Sequence, residues 1–228
     1  MEPHLTTKGI LAAWEAGIGR RPLDRAITLL WSAGVSGDLA ALPLAERDRQ
    51  LLGIRAATFG PEIAAQSVCP SCGEAMEMAL DARDLAHALP VRSDEVVTLG
   101  SEEITLRPLT SRDLAAAADA ADVPAALRRF ATGRESFPAD VAASVDAMTE
   151  AREAEGELVA RLCCAACDTH WKEVLDVVML LWAEVEAAAH RLMGEVAVIA
   201  TALGWAEHDI LDLSDARRQA YLSLARQA

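Results

Sequence analysis

With 228 residues the chain has room for one large core or two small ones, and 52% hydrophobic content with only 4% aromatic residues favours closely packed, alanine-rich helices. A formal net charge of −14 argues against nucleic-acid binding, which needs a basic face. The opening Met1-Glu-Pro-His-Leu-Thr-Thr-Lys lacks the basic and apolar parts of a secretion signal, and the longest apolar run, Val177 to Ala183, is too short to span a bilayer, so a cytoplasmic protein without a membrane segment is expected.

Residues 1–66 read as an N-terminal helical region. Thr7 can cap a first helix carrying Ile10, Leu11 and Trp14 and ending near Gly17 or Gly19. Pro22 suits the first turn of a second helix, whose apolar positions are Leu23, Ala26, Ile27, Leu30 and Trp31. A third follows Pro43, with Leu44, Leu51, Leu52 and Ile54, and closes at Phe59-Gly60-Pro61. Trp14 and Trp31 are read as core residues.

Next comes Cys69-Pro-Ser-Cys72, a C-x2-C knuckle, the spacing that lets two thiolates grip one zinc ion. Met76, Met78 and Leu80 alternate with Glu77 and Ala79 as a half-buried strand, and Asp81 caps a short helix stopped by Pro90. Val96–Leu99 and Ile104–Arg107 form a hairpin across Gly100 to Glu103. Thr110 and Asp113 resemble a capping box, with Asp in place of Glu, opening an alanine-rich helix. Further helices are expected near 124–131 and 138–152, separated by Gly133 and Pro138.

Cys164-Ala-Ala-Cys167 is a second knuckle. The residues that follow match the first in register: Met76 with Trp171, Leu80 with Leu175, Asp81 with Asp176. This repeat predicts two halves of one zinc ribbon, 67–81 with 158–176, separated in sequence and joined in space around residues 82–157. Cys69, Cys72, Cys164 and Cys167 are the expected ligands of a structural Zn²⁺; Cys163 and His170 are possible substitutes. A reduced thiol core and a dithiol redox switch are the other readings of the cysteines, the second weakened by the turn-like Pro-Ser and Gly at the first pair. Four protein ligands leave no open position for water or substrate, so such a metal holds structure.

Residues 177–228 read as a C-terminal helical region. Leu181, Val185, Ala188, Leu192, Val196, Ile199 and Leu203 repeat at helical spacing, with Glu184, Glu186, Arg191 and Glu195 off the stripe, and Gly204 closes the helix. Ser214 caps a last helix. The stripe is either core or part of a partner surface including Trp205, Arg217, Arg218 and Tyr221. The fold class is therefore mainly α with small β elements, a split zinc ribbon lying between helical regions. No phosphate-binding glycine loop, nucleophile elbow or H-E-x-x-H is present, which does not exclude an enzyme but leaves no residues to assign to catalysis.

Several stretches together resemble the baseplate hub assembly proteins of T-even-type contractile phage tails, a family with relatives in bacterial contractile injection systems. They are Leu11-Ala-Ala-Trp-Glu, Arg21-Pro-Leu-Asp-Arg-Ala, Ala57-Thr-Phe-Gly-Pro before the first knuckle, Leu106-Arg-Pro-Leu-Thr-Ser-Arg-Asp-Leu, the second knuckle with Trp171, Leu181-Trp-Ala-Glu-Val-Glu, Gly204-Trp-Ala-Glu-His-Asp-Ile-Leu, and Ala216-Arg-Arg-Gln-Ala-Tyr-Leu. They sample nearly the whole chain. The resemblance implies a non-enzymatic assembly factor, or a minor component of the particle, whose partners are baseplate or hub proteins. The alternative is a zinc-ribbon regulatory adaptor that binds protein or nucleic acid.

Overall fold

A computed structural model describes residues 2–226; Met1, Gln227 and Ala228, the outermost residues of the first and last regions expected from sequence, lie outside the described residues. Helices hold 56% of the chain and strands 16%, a mainly α protein with small sheets. Three antiparallel hairpins form separate two-stranded sheets among the described residues.

The main core lies where α1 (Thr7–Gly17), α2 (Pro22–Ser32) and α3 (Leu44–Phe59) pack against the first half of α8 (Val177–Leu203), with α4 (Ala82–Ala88) packed on α3. Thr6, one residue before the expected cap, accepts the Gly9 N–H and opens α1, because helical φ/ψ already begins at Thr7. α1 ends against α8 with no room to spare. A Cβ on Gly17 would stand 2.3 Å from the Trp182 ring, so only glycine fits there. Along α2 the buried stripe is Ala26, Leu29 and Leu30, while Trp31 is 66% exposed. The expectation of a core Trp31 fails because the stripe faces α1, α3 and α8, leaving position 31 on the outer flank. Arg55 of α3 joins the core layers through two hydrogen bonds to the Glu184 carboxylate at 2.9 and 2.7 Å.

A second cluster forms where β3 (Glu95–Leu99) and β4 (Glu102–Leu106) cover α7 (Ala139–Ala154), burying Ile104, Leu106 and Val145. The hairpin turns through Gly100 and Ser101 alone, tighter than expected, since Leu99 already pairs with Glu102 and Gly100 takes φ +65°. Between β4 and α7 lie α5 (Ser111–Ala118) and α6 (Val123–Thr132). Thr110 and Asp113 form the capping box of α5, and Asp113 also takes both guanidinium nitrogens of Arg107 at 2.8 Å. This excursion is moored to the start of α3 by the Pro43–Thr110 bridge and by Arg47 Nη1 donating to Ser111 Oγ at 3.1 Å. α4 packs with the main core, so the structural excursion begins beyond Pro90 rather than at residue 82.

The second half of α8 is covered by α9 (Glu207–Leu211) and α10 (Asp215–Ala225) around Ile199, Ile210 and Leu222. Glu195, read from sequence as an outward residue, is buried here: it accepts from Arg218 Nε and Gln219 Nε2, both at 2.7 Å. Arg218 is 3% exposed and belongs to this internal network, so its expected place on a partner surface is corrected. Trp205 and Tyr221 are half-buried and stacked edge-to-face with centroids 4.7 Å apart, while Arg217 is exposed.

Candidate metal centre

Both knuckles are built as the turns of hairpins. β1 (Glu62–Val68) pairs with β2 (Ala75–Asp81), so Val68 opposes Ala75 and residues 69–74 make the turn. β5 (Val159–Cys163) pairs with β6 (His170–Val174), so Cys163 opposes His170 and residues 164–169 make the turn. The turns repeat bond for bond. Cys69 N donates to Glu74 O and Gly73 N to Cys69 O, at 2.9 and 3.0 Å; Cys164 N donates to Thr169 O and Asp168 N to Cys164 O, both at 2.9 Å. Each turn needs one left-handed residue at the same place, Gly73 at φ +77° and Asp168 at φ +54°. Aspartate is one of the few side chains that tolerate that conformation.

The two hairpins face one another. Leu162, Trp171 and Glu173 point inward from the second, Ser67, Met76 and Met78 from the first. Ser67 Oγ and Trp171 Nε1 both donate to Glu173 Oε2, at 3.0 and 3.2 Å. The tips then bring all four expected sulfurs together. Cys69 Sγ lies 3.7 Å from Cys167 Sγ, Cys72 Sγ lies 3.6 Å from Cys164 Sγ, and all four ligand atoms fall within 4.8 Å of one another. A tetrahedron with Zn–S bonds of about 2.3 Å separates its sulfurs by about 3.8 Å, so the cluster fits a zinc ion in both donor type and spacing.

The surroundings of Cys69, Cys72 and Cys167 also suit a cation. Thr169, through its hydroxyl 3.2 Å away and its backbone N–H, brings the Cys167 thiol down to about 6, with help from Cys72. The Cys72 and Ser71 amides hold Cys69 below its ordinary value despite burial. At Cys72 the Glu74 amide favours the thiolate, but the sulfurs of Cys167 and Cys164 and the loss of solvent outweigh it and push the thiol up to about 12. Backbone amides, with the Thr169 hydroxyl, thus prepare Cys69 and Cys167 for negative charge, while hydrogen bonding to its neighbouring sulfurs holds the proton on Cys72. A dication at the centre would displace that proton and take all the sulfurs as thiolates.

Neither proposed substitute lies in the cluster. Strand alternation turns Cys163 and His170 to the outer face, where both are exposed and their Sγ and Nε2 lie 3.7 Å apart. The adjacent cations Arg128-Arg129 and Arg217-Arg218 are largely engaged: Arg128 pairs with Asp146, Arg129 with Glu135, and Arg218 with Glu195. No described helix is long and apolar enough to cross a membrane. Comparison with family models, curated proteins and solved structures finds no match to the chain.

Proposed function

We propose that the protein is a non-enzymatic adaptor whose two chain halves are joined by a structural zinc ribbon, and that it serves as an assembly factor or minor component of the baseplate or hub of a contractile tail or injection system. The observation that carries the adaptor reading is the closed four-sulfur cluster at the tips of two equivalent hairpins. Four thiolates complete a tetrahedral shell, so the metal positions chain segments and has no site for substrate. The contractile-tail setting is supported by the sequence resemblance alone.

Two measurements test the two halves of the proposal. Elemental analysis of protein purified without chelator should give one zinc per chain; protein with no zinc and four freely titratable thiols in the native state overturns the ribbon. Affinity purification from cells expressing a complete contractile-tail cluster should recover baseplate or hub subunits in fixed stoichiometry. Recovery of none of them, with particles assembling normally when the gene is deleted, overturns the assembly role.

A further inference from the structure

The internal repeat supplies its own control for what the ribbon fold requires. On the outer face of the first hairpin the cross-strand pairs are Val68–Ala75, Gln66–Glu77 and Ala64–Ala79. The equivalent pairs on the second are Cys163–His170, Arg161–Lys172 and Val159–Val174. The same scaffold thus carries a neutral–acidic pair in one copy and two cations in the other.

Arg161 and Lys172 stand directly opposite each other, both exposed, and neither meets a carboxylate in any ion pair of the described residues. Like charges facing one another across strands destabilise a hairpin. In a chain of net charge −14 with carboxylates in excess, these two cations stand together without an acidic partner among the described residues.

The cations also border a depression of about 470 Å³ between β5–β6 and α4. Its apolar lining comes from Leu80, Leu85, Leu158 and Leu175, and Glu157 is the one acidic residue on it. Val159 and Val174 are 40% and 60% exposed beside it.

We infer that this face of the second hairpin docks an acidic, apolar segment of a partner protein, aliphatic side chains entering the depression and carboxylates meeting Arg161 and Lys172. The charge pattern selects an anion. The aliphatic lining selects a peptide over a nucleic acid, because single-stranded bases are held by aromatic platforms and the ribbon's own Trp171 faces inward onto Glu173. The inference rests on the adaptor reading in taking the ligand to be protein, and it is independent of the contractile-tail setting.

The test uses the full zinc-loaded chain and fluorescence anisotropy with three labelled probes: a peptide alternating Leu with Asp and Glu, the same peptide with Lys for each acid, and an oligothymidylate. The acidic peptide is expected to bind with an affinity that falls as salt rises, and the other two to bind at least about tenfold more weakly. Arg161→Glu with Lys172→Glu should weaken the acidic peptide by about tenfold or more while zinc content and helical signal stay unchanged. Arg161→Gln with Lys172→Gln, which keeps the strands neutral, should give a smaller loss in the same direction. Equal affinity of wild type and both variants overturns the site, as does no binding of the acidic peptide, or preference for the oligothymidylate. Recovery of no tail subunit from cells, with peptide binding intact, counts against the contractile-tail role and leaves this site standing.

Discussion

Cys163 and Cys164 are neighbours in sequence, yet only Cys164 turns its sulfur into the cluster, because successive side chains of a strand point to opposite faces. The register of the repeat already separated the two: Cys164 follows its strand as Cys69 follows Val68, and Cys163 takes the place of Val68. The stability of serine variants should follow that geometry. If the proposed zinc site holds, Cys72→Ser removes a ligand and is expected to lower the melting temperature by roughly 10 °C and to abolish stoichiometric zinc. Cys163→Ser, at an exposed outer position, should stay within about 2 °C of wild type and keep its zinc. Thermal melts paired with metal analysis read both effects, and equal losses from the two variants would remove Cys72 from the ligand set. Other residues were not legible in this way. Periodicity located the apolar side of α2, but Ala26, Leu29 and Leu30 are buried while Trp31, one step around the helix, is exposed. Which flank of a stripe faces outward depends on neighbours that the stripe does not name.

At the scale of elements, local signals were the readable ones. Caps at Asp81, Asp176 and Ser214, the Pro22 start, the Gly204 stop and the Thr110–Asp113 box all act within one helical turn, so the sequence that encodes them is contiguous. The Glu195–Arg218 pair was illegible because it forms only when α10 folds back along α8, 23 residues downstream. Asp113 shows how a local cap acquires longer-range weight. Burial raises its pKa, but the Arg107 guanidinium and the Thr110 hydroxyl and amide outweigh it and hold the carboxyl below the ordinary range. A carboxylate with a lowered folded-state pKa stabilises the protein fully above its unfolded value, about pH 4, and loses that contribution as pH falls through the folded value. Asp113→Asn should therefore cost on the order of 2 kcal/mol at neutral pH, by weakening the cap and the Arg107 pair together. The gap in denaturant midpoint between variant and wild type should narrow as pH drops below about 4. A gap independent of pH would mean that shape rather than charge makes this contact.

For the whole molecule, the question is what a metal at the four sulfurs would hold that the apolar core does not. The ribbon grows from helices already tied together: β1 follows α3, β6 leads into α8, and Arg55–Glu184 joins those two helices inside the main core. The hairpin roots are therefore fixed without metal, whereas the polar and sulfur contacts between the tips, among the described residues, are the four-sulfur cluster and the Ser67–Glu173 hydrogen bond, across as many as 98 residues of sequence. Zinc removal should loosen the ribbon and spare the helical core, a partial change rather than global unfolding. Trypsin has suitable sites in both regions: Arg161 and Lys172 on the ribbon, Arg47 and Arg55 buried in α3. With zinc bound, the paired strands should protect the first two. After chelation, cleavage following Arg161 and Lys172 should accelerate severalfold, while Arg47 and Arg55 stay uncut and most of the far-ultraviolet helical signal survives. Re-adding zinc before the protease should restore protection. An unchanged digestion pattern would show that the hairpins hold each other without metal, and early cuts at Arg47 or Arg55 would show that the core itself depends on it.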